Sequence, residues 1–300
     1  MEEIKEISIS DKNYPKLLKE IKDPPKVLYY RGEILPRTET KSLVRDLPEE
    51  NCFAIVGTRM CSAYGKQVAL EIAGDLAEAG LTIVSGLAPG IDTFAHSAAV
   101  ERNKRTIAVL GTGLDEKSIY PQSNLKLAQR ILETGGCLIS EYSPGTPGSK
   151  FTFPQRNRII SGLSIGVLVV EAKQKSGALI TADWAKKQGR KVFAIPGPVY
   201  SLNSKGSHYL IKTGAKLVEN ANDILRELNL PKIRRPGRVA EGETREENLI
   251  LKVLKEESLY IDKIIEKTKL SVAEVAGTLA ILEIKGKVRN LGGSIYALSR

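Results

Sequence analysis

The sequence predicts an α/β chain: a parallel sheet with helices on both faces, followed by a small C-terminal winged-helix domain. Three observations lead there. From Cys52 onward, short and fully apolar runs alternate with helical stretches, which is the pattern of strands buried on both faces. Residues 229–245, with Pro231 and Pro236, read as a linker. Residues 246–300 then carry three helical faces and a hairpin.

The elements follow in order. Residues 1–50 are a lead-in rich in Lys, Glu and Pro, expected to pack on the main domain, with Val27–Tyr30 as a short strand after Pro24-Pro25. The main domain is placed at 51–228. Phe53–Val56 is its first strand. The helix after it sets Val68, Ile72 and Leu76 on one face and stops at Gly80. Strands are expected at Leu81–Val84, Thr106–Leu110, Cys137–Ser140, Ile165–Val170 and Val192–Ile195, with Leu217-Val218 as one more. Helices are expected near 93–101, 125–133, 155–161 and 179–187. In the last unit, Ile250/Leu251/Leu254 and Ile261/Ile264/Ile265 mark two helical faces. Ser271 caps a third, and Gly292-Gly293 turns a hairpin.

Composition narrows the function. The formal net charge is +10, which favours an anionic partner. Residues 243–300 hold ten Lys/Arg against nine Asp/Glu, so about +9 belongs to residues 1–242. Cys52, Cys61 and Cys137 show no CxxC spacing, and with two histidines no metal site is expected. The N-terminus has no apolar signal-peptide run and no 18-residue apolar stretch exists, so a cytoplasmic protein without a membrane span is expected.

On a parallel sheet, ligands sit beyond the carboxyl ends of the strands. Three loops there combine glycine with a hydroxyl: Gly57-Thr58-Arg59, Ser85-Gly86-Leu87-Ala88-Pro89-Gly90 and Gly111-Thr112-Gly113. Backbone amides at such loops attract anions, and Arg59 could grip a phosphate. Each loop alone is equally an ordinary strand-to-helix turn. Together with the segment Lys150 to Arg158 they suggest one shared anion pocket. That segment sets Lys150, Arg156 and Arg158 among Phe151, Phe153 and Asn157, in a chain only 5% aromatic. Interleaved aromatics and cations suit unstacked bases and their phosphates. A loop that plugs the core with its phenylalanines fits the same residues. Ser176-Gly177 reads equally as a helix start or as further anion donors. Glu171, at a strand end, could accept from a base or from a neighbouring arginine. His96, among small helix residues, suits a structural role. No G-x-G-x-x-G, Walker loop or catalytic constellation stands out, so no cofactor and no catalytic residue are expected.

In order along the chain, Tyr14-Pro15-Lys16-Leu17-Leu18, Ala54-Ile55-Val56-Gly57-Thr58-Arg59, Ser85-Gly86-Leu87-Ala88-Pro89-Gly90-Ile91-Asp92, Ile119-Tyr120-Pro121, Phe153-Pro154-Gln155-Arg156-Asn157-Arg158 and Ser176-Gly177-Ala178 resemble the DprA (Smf) family of DNA-processing proteins. The resemblance covers nearly the whole chain. It implies an extended Rossmann-like domain that binds single-stranded DNA, with pocket residues at Arg59, Lys150, Phe153, Arg156 and the glycine loops. It also implies a cytoplasmic homodimer that protects incoming strands and loads RecA recombinase during natural transformation. Many members carry an N-terminal helical domain, which is not expected in this chain. The C-terminal unit varies within the family.

Two other readings compete. Nucleoside-monophosphate phosphoribohydrolases resemble the chain in their glycine loops and strand-end Glu, but their Gly-Gly-Gly-x-x-Gly-x-Met-Gly segment is missing. A transcription regulator built on the C-terminal unit is disfavoured, because the helix after Ser271 carries Glu274 and no cation through Ala280.

Overall fold

Nine strands form the main sheet, in the spatial order β1-β2-β6-β5-β4-β3-β7-β8-β9. The structure, a computed structural model, describes residues 3–34, 51–233 and 242–298. In chain order the first unit runs β1 (Lys5–Ser8), α1 (Lys16–Lys19), β2 (Val27–Gly32), β3 (Cys52–Val56), α2 (Ala63–Glu78), β4 (Thr82–Ser85), α3 (Ile91–Glu101), β5 (Thr106–Leu110), α4 (Leu125–Glu133) and β6 (Cys137–Ser140). It continues with α5 (Thr152–Gly162), β7 (Gly166–Val169), α6 (Gly177–Lys187), β8 (Lys191–Ala194), α7 (Lys205–Lys212), β9 (Lys216–Leu217) and α8 (Ala221–Glu227).

Strands β3 to β9 are mutually parallel, as the unbroken apolar runs require: every residue of β3, β5, β6 and β7 is buried. The sheet is extended at one edge by β2 and β1, which are antiparallel. The lead-in therefore does more than pack on the main domain; it supplies two of its strands. Residues 35–50 of that lead-in lie outside the described residues.

Helices α5 and α6 cover one face over Val84, Val109, Ile139 and Val167. Helices α2 and α3 cover the other, where Phe53 and Phe193 meet at 5.7 Å. Ser62 caps α2 by accepting from the Gly65 amide at 3.1 Å, and Gly80, at φ +94, ends it. Helices α7 and α8 have no counterpart in the sequence reading, although Asn220 and Asp223 form a capping box on α8.

The chain divides at residue 233. Leu228, Leu230 and Ile233 pack on the core of the first unit, so this unit continues beyond residue 228 and the linker does not begin at 229. The second unit holds α9 (Arg245–Leu254), β10 (Leu259–Tyr260), α10 (Ile261–Thr268), α11 (Val272–Ile284), β11 (Val288–Gly292) and β12 (Ile295–Leu298). Three helices close on a three-stranded sheet around Ile250, Ile264, Val275 and Leu282, in the winged-helix arrangement.

Candidate functional site

The strand order reverses between β3 and β7. From β3 the chain winds outward through β4, β5 and β6, then crosses back to lay β7 on the other side of β3. Loops leaving β3 and β7 consequently diverge and leave a crevice at the carboxyl end of the sheet. That crevice encloses about 330 Å³ and is lined by Gly57, Thr58 and Arg59 after β3, by Lys173, Lys175 and Ser176 after β7, and by Phe153 and Asn157 of α5.

The exposed cations of this crevice are Arg59, Lys173 and Lys175. Its acidic group is Asp92, buried and turned inward, where it accepts from the Gly86 amide at 3.0 Å. Burial pushes that carboxyl up, against the pull of Arg156. Ser176 caps α6 by accepting from the Ala178 amide at 3.3 Å, so the positive end of an 11-residue helix opens on the same space. Asn157 donates to the Gly177 carbonyl at 3.2 Å and ties α5 to that helix start. The Arg59 guanidinium lies over the Phe153 ring, 5.5 Å from its centroid. Phe153 is half-buried and forms the partition between this crevice and a second cleft.

Several expected residues are engaged elsewhere. Arg156 is 4% exposed and donates to the carbonyls of Gly86, at 2.7 Å, and Val109. Burial holds its pKa down, at about 10. It clamps the loop after β4 to strand β5 and forms part of the crevice floor. Arg158, two residues on, pairs with Glu141 just after β6 at 2.6 Å and with Asp23 of the lead-in at 3.3 Å. It lies outside the crevice, because residues two apart on a helix point in nearly opposite directions.

The three glycine loops do not form one anion pocket. Only the first opens fully on the crevice. In the second, Ser85 is buried and donates to the Ile55 carbonyl at 2.6 Å. Gly86 lies so close to Arg156 that a Cβ would fall 2.6 Å from its guanidinium. Gly90, at φ +80, faces the Thr58 carbonyl, which a Cβ would approach to 2.4 Å. In the third loop, Gly111 lies under Phe153, the Thr112 hydroxyl donates to the Gly113 carbonyl at 3.0 Å, and the Gly113 amide donates to Thr146 at 2.8 Å. This loop packs against Phe153, and its Thr112 hydroxyl and Gly113 amide are engaged within the protein.

Glu171 is 4% exposed, and its carboxylate accepts from the Ser62 hydroxyl at 2.6 Å and the Ser62 amide at 2.9 Å. Lys150 lies outside the crevice, on the second cleft, with its ammonium 5.2 Å from the Phe151 ring centroid. Phe151 is 71% exposed. His96 is buried against the Thr106 hydroxyl at 2.8 Å, a structural role. Lys173 and Lys175 did not stand out in the sequence; their signal is their place just after the strand run ending at Val170. Among the described residues, no group of His, Cys, Asp or Glu could hold a metal ion.

Comparison with known proteins agrees with this architecture. The model of the DNA recombination-mediator protein A family matches residues 5–229, and that of the DprA winged helix domain matches 234–294. DNA processing protein DprA of Bacillus subtilis is 44% identical over 225 residues, covering 75% of this chain and 71% of the relative. The Streptococcus pneumoniae protein of that name is 46% identical over 220 residues, 73% of each chain. The crystal structure of S. pneumoniae DprA superposes with a TM-score of 0.66 at 44% identity, over 75% of this chain and 74% of that one. A Helicobacter pylori DNA processing protein A structure, described for its single-stranded DNA binding mode, gives a TM-score of 0.63 at 32% identity, over 76% and 98%. With its first unit matched almost throughout and its second matched by the accompanying winged-helix model, the chain belongs to the DNA recombination-mediator protein A (DprA/Smf) family.

Proposed function

We propose that the crevice between β3 and β7 binds single-stranded DNA without chemical turnover, and that the protein acts as a recombination mediator. The observation that carries this is the pairing of Arg59 with Phe153, a cation over an aromatic ring, at the mouth of a crevice whose exposed charges are all positive. Unstacked bases need π-faces and their phosphates need cations, while a duplex hides the first. In this reading Arg59, Lys173, Lys175 and the start of α6 at Ser176-Gly177 receive phosphates. Phe153 meets a base, Asn157 orients the helix start, and Lys150 and Phe151 extend the contact outward. Arg156, Arg158, Glu171 and the loops at Ser85 and Gly111 hold the framework.

Loading of RecA recombinase, a homodimer and a cytoplasmic setting follow from the family resemblance and belong to this same reading. No helix among the described residues is long and apolar enough to cross a membrane.

Fluorescence anisotropy with a labelled oligonucleotide, single-stranded and then duplex, over a salt series tests the reading. Preference for the single strand is expected, with a log–log salt slope of about −0.7 per neutralised phosphate. Arg59→Ala with Lys150→Ala should abolish the preference. Equal affinity for both forms would overturn it. RecA filament assembly on strands coated with a competing single-strand binder, with and without the protein, tests the mediator role.

A further inference from the structure

Beyond Phe153 lies a second cleft, larger than the first at about 770 Å³. Its walls are the segment 115–122 and the loop 145–150. Asp115 fastens them together, accepting from the Gly145 amide at 2.6 Å and from the Ser118 hydroxyl at 2.8 Å. Gln122 stiffens the first wall by donating to the carbonyls of Glu116 at 2.9 Å and Ile119 at 3.0 Å. The Asp115 carboxylate is directed into these bonds, whereas Lys117 and Lys150 stand exposed at the cleft.

Tyr120 lies here, 51% exposed, with its ring 5.6 Å from that of Phe153 and tilted by 43°. Among the described residues its hydroxyl has no hydrogen-bond partner. Tyr120 resembles neither a core tyrosine nor a polar anchor, because burial or a bonded phenol would be the sign of each. Phe153 is crowded by comparison, with Arg59 over its ring, Tyr120 beside it, and Gly111 and Gly148 so close that a Cβ on either would collide with it.

We propose that this cleft is a second nucleotide subsite, in which a base stacks on Tyr120 while Lys117 and Lys150 receive the adjoining phosphates. This rests on the single-strand reading of the crevice and extends it: one strand would cross the Phe153 partition and occupy both spaces. The two aromatic rings are too close for a base to enter between them. One base would therefore lie on the outer side of Tyr120, and the other in the crevice, against Phe153 and the Arg59 guanidinium over it.

Oligothymidylates of increasing length separate the two subsites. Tyr120→Ala is expected to weaken a strand long enough to span both spaces by about 5- to 150-fold, the range for one lost base stack. It should leave the shortest strand that binds the crevice unaffected, and Tyr120→Phe should retain full affinity. An oligonucleotide carrying 5-iodouracil should crosslink to the peptide containing Tyr120 on irradiation. Unchanged affinity for long strands in Tyr120→Ala, with binding still lost in Arg59→Ala, would overturn the second subsite and leave the crevice standing. Equal weakening of short and long strands would also overturn it, since Tyr120 would then act only as a support for Phe153. If Arg59→Ala binds as wild type, the crevice reading itself fails.

Discussion

The Glu171 carboxylate occupies the first turn of α2 through Ser62, whose hydroxyl donates to it at 2.6 Å and whose amide donates at 2.9 Å. In dinucleotide-binding folds the start of the first such helix cradles the phosphates. Here a side chain just after β7 fills that place, which leaves the start of α6 as the helix end open on the crevice. The second strand-end carboxylate, Glu141, is paired with Arg158. Neither strand-end acid stands open for proton transfer to a substrate. Glu171→Ala should lower stability by about 1–3 kcal/mol, the cost of unmaking charge-assisted bonds to a helix start. Urea unfolding measures this, and added sulfate should stabilise the variant more than wild type by refilling the vacated helix end. Incubation with AMP should release no base from either.

Arg156 should behave differently from Arg59, although both are arginines of the same region. Its guanidinium bonds the Gly86 and Val109 carbonyls in a fully buried setting. Arg156→Ala strands those carbonyls and removes the positive neighbour of Asp92, an expected loss of about 3–5 kcal/mol. Unfolding midpoint and DNA affinity should fall together in this variant. In Arg59→Ala affinity should fall while the midpoint stays. Circular dichroism melts run beside anisotropy distinguish the two patterns.

Much of the fold could be read from the apolar runs, because strands buried on both faces leave a signal independent of their neighbours. The sheet order could not, since it depends on where the chain crosses back to place β7 beside β3. The loop after Val170 was legible as a strand end, but that Lys173 and Lys175 face Arg59 across one crevice follows only from β7 lying beside β3. The packing role of the Gly111 loop was hidden for a related reason. Its glycine is required by Phe153, which arrives from 42 residues away in sequence. The division of Arg156 from Arg158 was within reach, because once α5 is a helix its period alone separates them.

Salt dependence isolates the two lysines the sequence did not single out. Both are exposed on the crevice. If each meets one phosphate, Lys173→Ala and Lys175→Ala should each reduce the magnitude of the log–log salt slope by about 0.7, and the double variant by about 1.4. Anisotropy titrations at four salt concentrations suffice. A slope that does not change would place the strand's backbone elsewhere.

His96 gives the fold an acid limit. Thr106 donates its hydroxyl to the Ile83 carbonyl at 2.7 Å, so its oxygen accepts from the histidine ring at 2.8 Å. Burial first, and the Arg156 charge second, push the ring's pKa from 6.5 down to about 3. The folded protein keeps the ring neutral where the unfolded chain protonates it. This stability is complete above pH 6.5 and is lost as pH falls toward 3. The slope approaches about 1.4 kcal/mol per pH unit for one proton. Asp92, raised by burial, opposes it in the acid range. Urea unfolding of wild type and His96→Gln from about pH 4 to 7 should show the acid-side slope shallower by one proton in the variant.

The C-terminal unit carries cations that are spoken for. Lys285 pairs with Glu247 at 2.7 Å and Glu243 at 2.9 Å, and Lys287 reaches Glu243 at 3.6 Å. Glu247 is 3% exposed, so its charge depends on these lysines, and its carboxyl is held below the usual range by the bond from Lys285. The exposed side of α11 presents Val272, Ile281 and Ile284 rather than a cation. A helix built to enter a DNA groove would need donors there. Lys285→Ala with Lys287→Ala should therefore lower the unit's own melting transition, because a buried carboxylate loses its partners. If the crevice of the first unit holds the strand, as proposed, single-strand affinity should be unchanged. A fall in affinity without a fall in melting temperature would show that these lysines are phosphate ligands, and would give the winged helix a direct part in holding the strand.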